Sequence, residues 1–251
     1  SVAMVSKIDG DLSNAAQYSF PEASARSRTF PRVDCSLCDI TMKTIGPHTY
    51  CYLHHPLFSS GEAMLCNTIY HLCFTGAISL DYSKVIAGHD NHHLVMRLFL
   101  THVADPLPMS APEAFALSLF PADRPDSLAD LRIHMNRTID DFGTFKSGPM
   151  LEHLMANGLL FSAHILSSEG RAVYHELHSL LHDVEHEETA LLDDAGKLAE
   201  RLKELGSNVV LLHEGFRDKL RGSPLADEQL KAILTVQRFL ESGGIHDIKM
   251  K

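Results

Sequence analysis

The segment from Cys35 to His55 constrains the fold of this chain more than any other part of the sequence. It reads CSLCDITMKTIGPHTYCYLHH and contains two close pairs of metal-ligand residue types, Cys35-x2-Cys38 and Cys51-x2-His54, with twelve residues between the pairs. Zn²⁺ prefers four sulfur or nitrogen ligands at the corners of a tetrahedron, and two close pairs joined by a loop supply them. We therefore predict a Zn²⁺ site formed by Cys35, Cys38, Cys51 and His54.

The residues around these pairs leave the details of the zinc module open. His48 and His55 are alternates for the fourth ligand, since both lie next to the second pair. Gly46-Pro47 favours a turn between two short β-prone pieces, which predicts a zinc knuckle with a short hairpin. The alternative interpretation is that the cysteines are buried core residues and the histidines lie at the surface.

Changes in composition and periodicity along the chain predict four regions. These are a flexible or extended arm at 1–34, the zinc-binding module at 35–58, a helical core of short proline-broken helices at 59–159, and a C-terminal helical hairpin or bundle at 160–251. The arm has no apolar period, whereas the core contains repeated helix-capping patterns and a helix predicted from about Leu94 to Ala104. No alternating strand pattern of any length was found, so the fold class is predicted to be mainly α.

The C-terminal region contains a heptad pattern of apolar residues. The steps alternate between four and three residues and are interrupted once by a glutamate, along Leu177, Leu181, Val184, Glu188, Leu191, Ala195, Leu198, Leu202 and Leu205. A single helix over 170–205 would be roughly 50 Å long. Such a helix needs a partner along its seam, either the helices predicted at 208–220 and 225–241 or the same helix of another subunit. This pattern predicts a long-helix bundle or coiled coil and a homo-oligomer.

A histidine-rich stretch at 88–93, GHDNHH, is a candidate catalytic site. In one class of metal-dependent phosphohydrolases, an adjacent histidine and aspartate bind two metal ions, and His89-Asp90 supplies that pair here. The class also needs a histidine on an earlier helix, for which His71 is available, and a later aspartate, for which Asp140 or Asp141 is available.

A second histidine-rich stretch lies on the predicted long helix. His182 to His186 reads HxxEH, the pattern of a zinc peptidase helix in which Glu185 would activate water. These histidines lie beside the heptad seam, and His213 is one of the few downstream candidates for a third metal ligand. With His175 and His178, they alternatively form a pH-responsive or simply solvated acidic surface.

Composition narrows the classes of partner and compartment. The net charge of −10 and the pI of about 5.9 disfavour a nucleic-acid-binding protein, which needs a basic face. The odd number of cysteines, 5, and the lack of an apolar leader predict a reducing intracellular compartment, the cytoplasm or nucleus. No apolar stretch long enough for a transmembrane segment is present in the sequence.

These observations predict a non-enzymatic function. We expect a zinc-stabilised helical adaptor or assembly protein, regulatory or virion-associated, that self-associates and binds a protein partner. The alternative is a metal-dependent hydrolase that uses His89 and Asp90, or the HxxEH helix with Glu185. A haem protein is a third alternative because the chain has 17 histidines, although no particular residue is indicated as the axial ligand.

Overall fold

The structure, a computed structural model of the chain, describes residues 45–87, 93–103, 109–121, 124–137 and 142–242. Helices dominate these residues, so the predicted mainly α fold class is confirmed. The α-helices are α1 Pro47–His54, α2 Gly61–Thr75, α3 Ala111–Leu117, α4 Leu128–Arg137, α5 Phe142–Phe145, α6 Leu151–Ala156, α7 Ser168–His186, α8 Glu188–Asp193, α9 Ala195–Leu205, α10 Glu214–Gly222 and α11 Glu228–Glu241. A π-helix, Lys146–Met150, joins α5 to α6, and a 3-10 helix, Gly206–Leu211, follows α9.

Helix α2 lies at the centre of the described residues. The Ser60 side chain caps its start by accepting a hydrogen bond from the Ala63 N–H, and Gly76, with φ of +82°, ends it in the left-handed region. Leu65, Ile69 and Leu72 form its buried stripe, since each is at most 1% exposed. Helix α2 packs against α1, α3, α5, α11, the 3-10 helix and the first strand of the sheet. It therefore positions residues from distant parts of the chain.

A β-hairpin replaces the helix that the sequence predicted from about Leu94 to Ala104. The strands are β1 Ile78–Ala87, β2 His93–His102, β3 Asp126–Ser127, β4 Leu160–Ser162 and β5 Ile165–Leu166. Strands β1, β2 and β3 form one antiparallel sheet in which Leu80 pairs with Leu100, and β4 pairs with β5. The prediction of no strands was therefore wrong. Alternate residues of β2, such as Leu98 and Leu100, are buried, and burial of every second residue is the period of a strand.

The predicted single helix over 170–205 is also wrong. It is divided into α7, α8 and α9 by non-helical or irregular backbone at Glu187 and Asp194. Asp194 has φ of −129° and caps α9 by accepting hydrogen bonds from the N–H groups of Gly196 and Lys197. Most seam residues are nevertheless buried within this chain, namely Leu177, Leu181, Val184, Leu191, Leu198 and Leu205. The seam is therefore used by the core of the same chain, and it gives no support to the predicted homo-oligomer.

The second half of the predicted zinc module is a helix rather than a strand of a hairpin. Pro47 occupies the first turn of α1, where its missing N–H costs no intrahelical hydrogen bond, so Gly46-Pro47 begins a helix and not a β-turn. Cys51 and His54 consequently lie one turn apart on α1. Cys35 and Cys38 lie outside the described residues.

No helix among the described residues has both the length and the apolar character needed to cross a membrane.

Candidate functional site

Helix α1 presents histidines to two different environments. It packs against α2, α7 and the 3-10 helix, and it buries His48 and Tyr52 while His54 stays exposed. His48 and His54 are six residues apart, which places them on different faces of the helix. We call the two resulting groups the inner histidine cluster and the outer tyrosine–histidine cluster.

The outer tyrosine–histidine cluster consists of Tyr50 and His54 on α1 with Tyr174 and His178 on α7. Two crossed hydrogen bonds connect the helices: the Tyr50 hydroxyl lies 2.9 Å from His178 Nδ1, and the Tyr174 hydroxyl lies 2.9 Å from His54 Nδ1. The rings also stack, with centroids 5.4 Å apart for Tyr174 and His178 and 5.6 Å apart for Tyr50 and Tyr174. Both imidazoles are therefore oriented by their Nδ1 atoms.

The predicted zinc ligand Cys51 lies near the outer cluster, between α1 and α2. The Asn67 side-chain amide donates a hydrogen bond to Cys51 Sγ at 3.1 Å. Burial raises the pKa of the Cys51 thiol to about 11, so the sulfur is protonated at neutral pH in the absence of a bound cation. Burial, with the neighbouring His55 and His178, lowers the pKa of His54, which favours its neutral, ligand-competent form.

The other predicted zinc ligands are distributed around this point. His55 packs against His54, with ring centroids 4.1 Å apart, while His48 lies in the inner cluster. Within the ranges that the structure describes, no group of three or more histidine, cysteine, aspartate or glutamate side chains is arranged to hold a metal ion. A tetrahedral site at Cys51 and His54 therefore needs further ligands from outside those ranges, where the predicted Cys35 and Cys38 lie.

Of the alternative catalytic residues His89, Asp90 and Glu185, only Glu185 lies in the part of the chain that the structure describes. His89 and Asp90, like Asp140 and Asp141, lie outside the described residues. Glu185 accepts a hydrogen bond of 2.7 Å from the backbone N–H of His213, the residue that caps α10. His213 Nε2 in turn pairs with Glu188 at 2.9 Å.

The histidine side of the HxxEH stretch is exposed, whereas Val184 within it is buried. His182 and His186 stack with centroids 6.1 Å apart, and the His182 side chain is mostly exposed. Because Glu185 fixes the start of α10, its described role is structural capping. A metal-dependent hydrolase remains a prediction that no contact of these residues supports.

The inner histidine cluster consists of His48, His71, His153, Glu113 and Ser207. His71 Nδ1 lies 2.7 Å from Ser207 Oγ, and His71 Nε2 lies 3.1 Å from Glu113 Oε1. The His48 ring lies 5.5 Å from that of His71 and 6.3 Å from that of His153, measured between centroids. Helices α1, α2, α3 and α6 and the 3-10 helix each contribute one of these side chains.

Hydrogen bonds and burial set the charges of the inner cluster. Burial acts to raise the pKa of Glu113, but hydrogen bonds from His71 and from the backbone N–H and hydroxyl of Ser110 outweigh it and lower the pKa to about 2. Burial, followed by repulsion from His71, lowers the pKa of His48 to about 3. At neutral pH the cluster therefore combines an ionised carboxylate with a neutral His48.

Most of the inner cluster has no local signal in the sequence. His71, Glu113 and Ser207 are separated by 42 and 94 residues along the chain, so no motif connects them. Glu113 was recognisable only as part of a capping pattern with Ser110, which the structure confirms. Its second carboxylate oxygen, which contacts His71, follows from how α3 packs against α2.

Comparison of the chain with protein-family models, with curated proteins and with solved structures gives no match.

Proposed function

We propose that this protein is a zinc-stabilised helical adaptor or assembly protein whose Zn²⁺ is held by Cys35, Cys38, Cys51 and His54. The observation that supports it most is that both described ligands already have hydrogen-bond partners of the kind found around metal ligands. A metal-bound histidine usually uses its second ring nitrogen for a hydrogen bond that fixes the ring.

The contacts of His54 and Cys51 suit coordination. The Tyr174 hydroxyl occupies Nδ1 of His54, which leaves Nε2 as the metal-binding nitrogen. The Asn67 amide donates to the Cys51 sulfur, and such a bond stabilises the thiolate that Zn²⁺ requires. Because a bound cation deprotonates a coordinating thiol outright, the raised pKa of Cys51 is compatible with a metal-bound sulfur.

Zinc at this place would have a structural role. With four protein ligands, the ion has no open position for a substrate or a water molecule. It would connect the chain around residues 35–38 to α1, and α1 packs against α2, α7 and the 3-10 helix. Removing the ion would therefore weaken the packing of α1.

An exposed apolar surface beside α1 suits a protein partner. Leu57 and Phe58, just after α1, and Phe161 and Ile165, on the hairpin of β4 and β5, are between 57% and 85% exposed. The two pairs are connected through two hydrogen bonds and a cation–ring contact. Lys146 donates a hydrogen bond to the Leu57 carbonyl and lies over the Tyr52 ring, while the Tyr52 hydroxyl donates to the Ala163 carbonyl. Exposed apolar side chains of this size commonly mark protein interaction sites.

The zinc proposal is tested by elemental analysis of the full-length chain purified with Zn²⁺ present. We expect about one Zn²⁺ per chain, as a four-ligand site requires. The variants Cys51→Ser and His54→Ala are expected to lose the ion, whereas the matched controls Cys66→Ser and His182→Ala are expected to keep it. A wild-type chain without zinc, or a Cys51→Ser variant with its full zinc content, would contradict the proposal.

Self-association through the apolar surface is tested by the mass of the protein in solution. The proposal expects an oligomer that Phe58→Ser dissociates, since Phe58 is the most exposed of the large apolar side chains. Tyr82→Ser removes an exposed aromatic residue from β1 and serves as the control. A wild-type monomer, or an oligomer that both variants leave intact, would contradict self-association at this surface.

A further inference from the structure

We propose that Ser207, His71 and Glu113 form a nucleophile–base–carboxylate triad that hydrolyses esters of short acyl groups. This activity goes beyond the adaptor function, and its three residues are not among the four ligands of the proposed zinc site. The geometry points to it because the two hydrogen bonds, 2.7 Å from Ser207 Oγ to His71 Nδ1 and 3.1 Å from His71 Nε2 to Glu113 Oε1, form an uninterrupted series.

The charges of the three groups assign the protons. Glu113 is ionised at neutral pH because its pKa is about 2, so the Nε2–H of His71 donates to its carboxylate. Nδ1 of His71 then carries the lone pair and accepts the hydrogen bond from the Ser207 hydroxyl. The two ring nitrogens have exchanged the roles they have in serine proteases. The chemistry is unchanged, since either nitrogen can accept a proton while the other is held by a carboxylate.

Three separate elements hold the triad in position. His71 lies within α2, and Glu113 lies in the first turn of α3, where the Ser110 N–H donates to Glu113 Oε2 at 2.6 Å. Ser207 follows Gly206, which has φ of +56° and ψ of −132° and begins the 3-10 helix. That backbone conformation is available chiefly to glycine and produces a sharp turn immediately before the hydroxyl. Fixed partners on both sides keep the base aligned with the nucleophile.

Two buried polar atoms next to the triad are suited to a polar ligand. Asn208 Oδ1, adjacent to Ser207, and His48 Nδ1, on the ring beside His71, have no hydrogen-bond partner among the described residues. Both side chains are at most 3% exposed, and a buried polar atom without a partner costs free energy. A small polar substrate group would satisfy such atoms. Ser207 is 7% exposed, and the His71 and Glu113 side chains keep 12% and 17% exposure, so the reacting acyl group has to be short.

The proposed reaction has two balanced halves. In the first, Ser207 Oγ attacks the ester carbonyl carbon, its proton passes to His71 Nδ1, and the alcohol leaves with that proton as the C–O bond breaks. In the second, His71 takes a proton from water, the resulting hydroxide attacks the acyl–Ser207 carbonyl, and the carboxylic acid leaves. The Ser207 oxygen regains its proton from His71, so the protein returns to its starting state.

The test uses the full-length chain and a fluorophosphonate probe, which forms an Oγ–P bond with a nucleophilic serine and releases fluoride. Peptide mass analysis of the wild-type protein is expected to find the phosphonyl group on Ser207. Ser207→Ala is expected to abolish labelling, and the control Ser118→Ala, an exposed serine at the end of α3, is expected to leave it unchanged. Labelling of another serine, or none in the wild-type protein, would overturn the proposal.

Hydrolysis of 4-nitrophenyl acetate provides the second measurement. His71→Gln is expected to lower the rate of nitrophenolate release by about 100-fold or more, which is the usual effect of losing a general base. Glu113 is a positioning residue, so Glu113→Gln should lower kcat while Glu113→Asp restores part of it. Circular dichroism spectra must match the wild type for each comparison. Equal rates for wild type and Ser207→Ala would reject the triad, and the zinc content of these variants reports separately on the adaptor function.

Discussion

The inner histidine cluster and the outer tyrosine–histidine cluster share helix α1 but differ in what surrounds their imidazoles. In the inner cluster, His48 is buried beside His71 and has a pKa lowered to about 3. In the outer cluster, His54 is exposed and is held by the Tyr174 hydroxyl at 2.9 Å. The comparison shows that burial and the hydrogen-bond partner decide what a histidine can do, since the residue type and the helix are the same.

The partners also differ in charge. His71 in the inner cluster pairs with an ionised carboxylate, Glu113, whereas the outer imidazoles pair with neutral tyrosine hydroxyls. A carboxylate partner holds the ring of His71 by one nitrogen and leaves the other facing Ser207, which suits the proposed proton transfer. A tyrosine partner orients the ring without adding charge, which suits a metal ligand.

The largest effect is expected at Gly46, which approaches the inner cluster. A Cβ at this position would lie 2.5 Å from His48 Cε1 and 3.2 Å from His71 Nδ1. We expect Gly46→Ala to lower the free energy of unfolding by about 3 kcal/mol, the upper end of the cost of overpacking. Gly143→Ala is the control, because a Cβ there would meet nothing within 4 Å. Urea unfolding measures both, and equal stabilities for the two variants would contradict tight packing around these imidazoles.

The pH dependence of stability should be dominated by the inner cluster. Folded His48 stays neutral down to a pH of about 3, whereas in the unfolded chain it binds a proton near its ordinary pKa of 6.5. Stability is therefore lost as the pH falls below 6.5, by about 1.4 kcal/mol per pH unit, or about 2 kcal/mol at pH 5. Burial also lowers the pKa of His153, which adds a loss in the same direction. Glu113 contributes a loss only below its ordinary pKa of 4.5.

A variant isolates the contribution of His48. His48→Gln removes the titrating group. Between about pH 7.5 and about pH 5, the unfolding free energy of this variant should fall by about 2 kcal/mol less than that of the wild type. His182→Gln serves as the control, because its side chain is 73% exposed. Parallel pH profiles for wild type and His48→Gln would show that His48 is not held neutral by burial.

A smaller effect is expected in the outer cluster. Tyr174→Phe removes the hydroxyl that holds His54 Nδ1 and keeps the aromatic ring that stacks on His178. We expect zinc affinity to fall about 10-fold, or about 1.4 kcal/mol, as for the loss of other hydrogen bonds to metal ligands. Competition with a zinc-binding dye measures this. Tyr82→Phe removes a hydroxyl from β1 and should leave the affinity unchanged; a similar loss in both variants would count against the orienting role.

The smallest effect is expected on the exposed side of α7. His182→Ala should change the free energy of unfolding by less than about 0.5 kcal/mol, because its side chain contacts mainly solvent and Asp183 lies 3.8 Å from its ring. Thermal unfolding at neutral pH measures the change. A loss above about 2 kcal/mol would contradict this prediction, because His182 would then stabilise the fold as much as a residue of the inner cluster.

Local patterns predicted much of the helical structure, and long-range packing determined the rest. The capping serine and Gly76 limit α2 as the sequence indicated, and the apolar seam of the C-terminal region is buried. The sequence could not show that Asp194 would end α8 and cap α9, because aspartate is also tolerated within an exposed helix face. The hairpin of β1 and β2 was missed because its short apolar run fits a buried helix as well as a strand.

The candidate sites show the same division. Cys51 and His54 were predicted as metal ligands because their spacing is local, and α1 keeps them one turn apart even though it is not the predicted hairpin. Ser207 was not found, because its relation to His71 exists only after the 3-10 helix packs against α2. Motifs therefore reveal sites made within one segment, and tertiary packing is needed for sites made between segments.

X-ray absorption at the zinc edge of the full-length protein identifies the atoms that bind the metal ion. We predict three sulfur ligands at about 2.3 Å and one nitrogen ligand at about 2.0 Å, with one sulfur replaced by oxygen or nitrogen in Cys51→Ser. A spectrum with only oxygen and nitrogen ligands, or one that Cys51→Ser leaves unchanged, would contradict the proposed zinc site.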